Sequence, residues 1–165
     1  MPDRIFVIRE VRPEEYERVG EIAVGAYRAL EGESVDGYLE EIQDTASRAA
    51  VVPVLVAAEP DGTLLGTVTY IPGPGPFAES ERDDEAGFRV LAVDVGTQGR
   101  GVGRALAEAC VSRARSEGRG GISILTRPSM TTAHHLYETL GFVRDRSDDW
   151  QFLPGEWLWG YRLRF

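Results

Sequence analysis

The chain contains no lysine and no asparagine among its 165 residues, and all 18 of its basic residues are arginine. A GC-rich coding sequence produces that bias on its own, yet the absences still exclude chemistry. Without lysine there is no amine nucleophile, no Schiff base and no lysine to modify; without asparagine there is no N-glycosylation sequon. Cysteine is nearly missing as well. Cys110 stands alone, so neither an internal disulfide nor a four-thiolate zinc site can form. Its place among alanines at helical spacing marks it as a small buried residue. Long apolar runs are absent too: no window approaches the roughly 18 to 20 residues needed to span a membrane. Residues 1–10 carry alternating charge rather than the apolar stretch of a secretory signal. These absences predict a cytoplasmic protein. Against the arginines stand 27 acidic residues, giving a net charge of -9, and so acidic a chain repels nucleic acid and anionic membranes. The remaining 42% of hydrophobic residues can build one core, which predicts a single domain over residues 1–165.

Residues 5–9 form a short apolar run, the first expected strand. Pro13 then opens a helix, where its missing N–H costs nothing and Glu14 and Glu15 suit the positive end of the dipole. Tyr16, Val19, Ile22, Ala23, Ala26, Tyr27 and Leu30 recur at helical spacing and predict one apolar stripe, ended by Gly32. A second helix is expected to start near Ser34 or Asp36 and to turn Tyr38, Leu39, Ile42 and Ala46 inward. Residues 54–59 and 64–70, joined by a turn at Asp61 and Gly62, predict a β-hairpin. The prolines and glycines at 72–76 cannot sit inside a sheet or helix. They lead into Glu79, Glu81, Asp83, Asp84 and Glu85, an acidic loop relieved only by Arg82.

Residues 88–93 are the clearest strand. They feed Gly99, Arg100, Gly101, Val102 and Gly103, followed by a helix with Val102, Ala105, Leu106, Ala109, Cys110 and Ala114 on one face. Gly118 to Gly121 end that helix, and residues 122–126 form the next strand. A strand, a helix and a strand in that order predict a parallel pair with a right-handed crossover. Ser129 or Thr131 can cap a further helix that carries Ala133, Leu136, Tyr137 and Leu140 and stops at Gly141. Short strands near residues 142–143 and 158–165 follow. The fold class is α/β or α+β, with a mixed sheet of roughly six to seven strands.

A glycine-rich turn between a strand and a helix is an anion site, because glycines let the backbone approach and the free N–H groups at the helix start point at the charge. Spacing decides among the motifs that share this physics. A Walker A loop needs Gly-Lys-Ser/Thr, and the chain has no lysine. A dinucleotide fingerprint starting at Gly99 meets Arg104 where glycine is required, and one starting at Gly101 meets Leu106. What remains is Gln98, Gly101 and Gly103, with Arg100 and Arg104 beside the expected anion.

Two blocks together resemble the GNAT superfamily of N-acetyltransferases. The first is Leu91, Ala92, Val93 and Asp94 followed by Gln98 to Gly103; the second runs from Ala133, His134, His135, Leu136 and Tyr137 to Gly141 and Phe142. The resemblance covers about residues 88–143. It implies a mixed, mostly antiparallel central sheet with a splayed parallel pair, flanked by about four helices. It also implies acetyl-CoA as cosubstrate and no metal. The pyrophosphate is then held by Gln98, Gly99, Arg100, Gly101, Val102, Gly103 and Arg104. The pantetheine arm pairs strand-like with Leu91, Ala92 and Val93, and the sheet splays around Ile124 to admit the thioester.

Tyr137 matches the family's tyrosine near the CoA sulfur and is the expected general acid, although its spacing alone describes a core aromatic. The acceptor ammonium must lose a proton before attack. Many relatives use a strand glutamate at the position that aligns here with Gly87, so the base has to come from elsewhere. Glu85, two residues away and on the same strand face, is the first candidate. An ordered water, a backbone carbonyl or Asp149 are the others. His134 and His135 point in different helical directions and make no metal pair. The acidic loop, with Asp145, Asp148, Asp149 and Trp150, suits a cationic acceptor: a small amine, an amino sugar or a peptide N-terminus. The aromatic tail (Trp150, Phe152, Trp157, Trp159, Tyr161 and Phe165) packs, closes the acceptor pocket or forms a homodimer contact. Because Gly87 stands where a base is expected, a non-catalytic CoA-binding or regulatory protein of the same fold is the competing expectation.

Overall fold

The computed structural model describes residues 5–32, 37–97 and 99–165. The helix caps expected at Ser34 or Asp36, and Gln98 of the glycine turn, lie outside the described residues. The strands are β1 (Val7–Glu10), β2 (Val54–Ala58), β3 (Leu64–Ile71), β4 (Glu85–Val93), β5 (Gly121–Thr126), β6 (Val143–Arg144), β7 (Trp150–Leu153) and β8 (Glu156–Arg164). The helices are α1 (Tyr16–Glu31), α2 (Tyr38–Gln43), α3 (Thr45–Ala49), α4 (Val102–Ser116) and α5 (Thr131–Thr139). The hydrogen-bonded order of the strands is β1-β2-β3-β4-β5-β8-β6, with β7 paired to β8 off that path. This is the expected mixed, mostly antiparallel sheet with a parallel pair, β4 and β5. Among the described residues there are eight strands rather than six or seven, because the tail folds as a hairpin. Gly155, at φ +77, makes its turn where the sequence suggested a single strand. No described helix is long and apolar enough to cross a membrane.

The chain divides into two compact units, residues 1–70 with 90–109 and residues 71–89 with 110–165. In the first, Val19, Ile22, Ala23 and Val24 of α1 and Ile42 of α2 pack on Val54, Val56, Ala58, Leu64, Val90 and Ala92. The α1 stripe is shorter than its periodicity suggests, since Leu30 is exposed. The expected second helix is two helices. The Asp44 side chain accepts from Ser47 N at 3.2 Å and caps α3, which interrupts the run and turns Ala46 to solvent. Arg48 is buried in its stead, giving to Thr69 Oγ1 at 3.2 Å and to the Glu41 and Asp44 carbonyls at 3.0 and 3.3 Å. The hairpin of β2 and β3 forms as expected, from Val54↔Thr69 to Ala58↔Leu64. Gly66 in β3 has a packing reason: a Cβ there would stand 2.9 Å from both the Ala92 carbonyl and Val102 Cγ1. Its missing side chain lets the start of α4 lie close on the strands.

In the second unit, β5 and β8 pair along their length, from Gly121↔Arg164 to Thr126↔Trp159. On the other side, β5 pairs in parallel with the start of β4, and the last registered pair is Gly87↔Ser123. β8 carries a buried charge network. Arg162 Nε bonds Glu85 Oε2 at 2.8 Å, and its guanidinium also meets Asp145 and, at 2.6 Å, Asp148. Arg164 meets Asp84 at 2.7 Å and Glu85 at 3.1 Å, and Arg89 meets Glu79 at 3.5 Å. The acidic loop is therefore answered by arginines of β4 and β8, not by Arg82 alone. Cys110, in α4, is fully buried, and burial pushes its thiol well up, as expected of a structural cysteine.

Candidate active site

The glycine turn lies in the first unit, where β4 hands the chain to α4. Asp94 N donates to Leu65 O at 2.8 Å, and Thr97 Oγ1 donates to Asp94 O at 2.9 Å, so a short turn anchored to β3 precedes the glycines. Gly99 and Gly101 have φ of +87 and +76, the left-handed region that residues with a Cβ resist. Nothing lies within 4 Å of where a Cβ would stand on either. Glycine is required here for the backbone's path, and the space in front of it is open. The α4 ladder begins with Ala105 N donating to Gly101 O at 3.0 Å, so the N–H groups of Val102, Gly103 and Arg104 precede it. Free amides at the positive end of a helix dipole are groups that suit an anion. The flanking arginines stand in ion pairs, Arg100 with Glu59 at 3.7 Å and Arg104 with Glu108 at 2.7 Å. Leu91, Ala92 and Val93 end β4 just before the turn, with Ala92 buried and its neighbours half-buried. Val90, immediately ahead of them, is a β-branched residue at φ +54, a strained conformation that kinks the strand.

Tyr137 lies in the second unit and owes its position to the end of α5. Phe142 N donates to Tyr137 O at 3.0 Å and Gly141 N donates to Glu138 O at 3.0 Å, with Gly141 at φ +96. That pair of bonds is a Schellman cap, whose hydrophobic partners are here Tyr137 and Phe142, ring centroids 5.8 Å apart. The block from Tyr137 to Phe142 is thus a helix stop that fixes one phenol. Phe88 packs edge-on against both rings, at 5.8 and 6.1 Å. Tyr137 is 6% exposed, and burial pushes its phenol up, so it keeps its proton throughout the neutral range. The inward residues of α5 are His134 and Tyr137; Ala133 and Leu136, expected there, are half-buried. His134 stacks on Trp159 and Tyr161, and its Nε2 lies 3.0 Å from Arg127 O. Burial holds its imidazole below the ordinary range. His135 is exposed. In the tail, Trp159 and Tyr161 pack against α5, whereas Trp150 and Trp157 are exposed.

The carboxylates separate into two kinds. Glu85 is 0% exposed at the start of β4 and accepts from Arg162, from Arg82 N at 2.9 Å and from Arg164. Burial pushes it up, but those hydrogen bonds outweigh burial and hold it below the usual carboxylate range. Asp149 is bound by both nitrogens of Arg144, at 2.5 and 2.7 Å, and by Gly160 N at 3.0 Å; its hydrogen bonds from Arg144 hold it low as well. Glu81 is different. Its carboxylate occupies the place where a Cβ on Gly87 would be, directly over β4. Burial raises it, and hydrogen bonds from the backbone N–H groups of Glu81 and Glu79, with Arg89, oppose that only in part. Sequence reasoning passed over Glu81 because one acidic loop residue resembles the next. The signal available was Gly87 itself, since glycine inside a strand marks a close approach.

A family model described as the acetyltransferase (GNAT) family matches residues 16–142. A mycothiol acetyltransferase of Cellulomonas flavigena is 37% identical over 93 residues, covering 55% of this chain and 27% of that protein. The matched part is thus about a quarter of that relative's length. Among solved structures, a GNAT family acetyltransferase from Brucella melitensis in complex with acetyl-CoA superposes with a TM-score of 0.65 and 23% identity, covering 98% of this chain and 89% of the other. An acetyltransferase of the GNAT family from Staphylococcus aureus Mu50 gives a TM-score of 0.72 at 16% identity, covering 96% and 98%. These likenesses extend the agreement in fold to nearly the whole chain. With the family model spanning residues 16–142 and the fold in agreement, the chain belongs to the GNAT family of acetyltransferases.

Proposed function

We propose that the chain is an N-acetyltransferase that moves an acetyl group from acetyl-CoA to an amine of a small molecule or peptide by direct attack, with no covalent enzyme intermediate. The observation that carries this is the open, left-handed glycine turn before α4. Acetyl-CoA supplies an activated acetyl thioester. The amides of Val102, Gly103 and Arg104 hold its diphosphate, with Gly99 and Gly101 shaping the approach and Arg100 and Arg104 adding positive charge at the rim. Leu91, Ala92 and Val93 offer backbone groups to the pantetheine amides as another strand would. Tyr137 serves the leaving sulfur. A phenol that keeps its proton is suited to donate a hydrogen bond to a departing thiolate and then to return it as a thiol. The acetyl-CoA-bound relative and the family membership support the cosubstrate.

The test is thiol release from acetyl-CoA with a panel of amines: spermidine, an amino sugar, a short peptide with a free N-terminus and a mycothiol-related amine, the last because a mycothiol acetyltransferase is among the relatives. Amine-dependent release is expected. Tight binding of acetyl-CoA with no amine raising thiol release above hydrolysis would leave only a CoA-binding role. Gly101→Val probes the cradle separately. A β-branched residue at φ +76 strains the turn by roughly 1–2 kcal/mol and crowds the diphosphate, so acetyl-CoA affinity should fall at least about tenfold by calorimetry. Unchanged affinity would place the diphosphate elsewhere.

A further inference from the structure

We propose that the Glu81 carboxylate, seated over Gly87 of β4, is the base that takes a proton from the acceptor ammonium. This rests on the N-acetyltransferase proposal above and adds to it the residue that strand β4 lacks. The geometry is specific. A Cβ built on Gly87 would fall on Glu81 Oε1, and it would also stand 2.8 Å from the Ser123 carbonyl. The strand has room at this point for the tip of a side chain from the loop but not for a side chain of its own. Glu81 delivers a carboxylate to the strand face from six residues upstream.

The loop is pinned on both sides of Glu81, so the carboxylate is held in place. Ser80 Oγ lies 2.5 Å from Ser123 Oγ, and the Ser80 carbonyl accepts from Arg162 at 3.3 Å. On the other side, Arg82 N donates to Glu85 Oε1 at 2.9 Å and Glu85 N donates back to Arg82 O at 2.9 Å. Glu81 Oε2 accepts from Glu79 N at 2.5 Å and the carboxylate also accepts from the Glu81 N–H, while Oε1 is the atom that lies over Gly87. The charged groups around it are Glu79 on the loop and Arg89 on β4, and those two pair with each other at 3.5 Å. By contrast, Glu85, Asp84, Asp145 and Asp149 each bind an arginine side chain directly. A carboxylate bound by arginine is a weak proton acceptor, whereas one that burial has raised accepts more readily. Two carboxyls of one loop are thus split: Glu85 holds structure and Glu81 is poised to accept.

The proton balance is complete. R–NH3+ gives one proton to Glu81, which passes it to solvent. The free amine attacks the thioester carbonyl, the C–N bond forms and the C–S bond breaks. The second amine proton ends on the sulfur as CoA thiol, by way of Tyr137.

The test uses the full chain and the best amine of the panel. Glu81→Gln is expected to lower kcat by about 10²–10³ and to abolish the acidic limb of the kcat/KM profile against pH, with acetyl-CoA affinity within about twofold of wild type. Glu81→Ala is expected to regain turnover with added formate, which a structural role would not allow. Because burial raises the carboxyl, the folded state gives up stability to keep it charged at pH 7, so Glu81→Gln should melt no lower than wild type there. The proposal is overturned if Glu81→Gln keeps turnover within about threefold and retains the acidic limb, if formate restores nothing, or if the limb moves in Glu85→Gln instead. Failure of the wild-type chain to acetylate any amine would overturn the N-acetyltransferase proposal first, and the role of Glu81 with it.

Discussion

Arg162→Met should lower the free energy of unfolding by about 3–5 kcal/mol, the range expected when one partner of a buried ion pair is removed. The guanidinium is 7% exposed and the carboxylate of Glu85 is 0% exposed, with Arg162 Nε 2.8 Å from Oε2 and a second nitrogen 3.2 Å from Oε1. A methionine fills the volume but leaves Glu85 charged and buried, facing the half-exposed Arg164 and the Arg82 N–H. The second change, Glu85→Leu in the Arg162→Met background, should recover much of the loss, because an apolar pair carries no stranded charge. Urea unfolding of the single and double variants measures both. A single variant within about 1 kcal/mol of wild type would mean that water already reaches Glu85.

The same groups fix the sign of the acid response. Glu85 and Asp149 are held low, Glu85 by arginine hydrogen bonds that overcome its burial and Asp149 by its bonds from Arg144. The unfolded chain therefore binds their protons more readily than the folded chain. Their contribution is fully present above the unfolded carboxylate range near roughly pH 4 and is lost as pH falls through the lower folded values. His134, lowered by burial, acts in the same direction but starts as pH drops through about 6.5. Glu81, raised by burial, opposes His134 in that window, so melting temperature should change little between pH 6.5 and about 4 and fall steeply below it. A melting temperature that rises as pH falls below about 4 would contradict the assignments of Glu85 and Asp149.

Tyr137→Phe should lower kcat by about 10²-fold, near 2.7 kcal/mol in the barrier, while leaving acetyl-CoA affinity within about twofold. The substitution removes one oxygen and keeps the ring that Phe88, Phe142 and Tyr161 pack against. The cap that positions residue 137 uses its backbone carbonyl, so phenylalanine preserves that as well. Because the loss falls on sulfur departure, it should shrink with an acyl donor whose thiol has a lower pKa. Unaltered kcat would assign the phenol to the core alone.

The sequence made these regions legible to different degrees, and backbone demands explain most of the difference. Gly99 and Gly101 stand where the chain turns left-handed, and Gly141 where α5 stops, so both family blocks are written in residues that no other type replaces cheaply. The hairpin of β2 and β3 was equally plain, since its turn chemistry is local. The break between α2 and α3 was not, because Asp44 in a helical pattern reads as an ordinary surface residue until it is seen to cap Ser47. Least visible were the long-range charge contacts. Glu85 and Arg162 are 77 positions apart, and a net charge of -9 gives no hint of which carboxylates meet arginine and which do not. The arginine-only composition suits this network: a planar guanidinium serves Glu85, Asp145 and Asp148 at once, where an ammonium acts as a point charge.

That network also sets an order of assembly. The loop carrying Glu81 is tied to Ser123 of β5 and to Arg162 of β8, whereas the glycine turn is anchored to β3. During synthesis the turn's own unit has its residues well before β8 has emerged, and pairings of long sequence separation form late. A nascent chain can thus shape the glycine turn before the loop carrying Glu81 is tied down. In the proposed scheme, cosubstrate binding matures before acceptor deprotonation, and turnover waits for β8 to pair with β5.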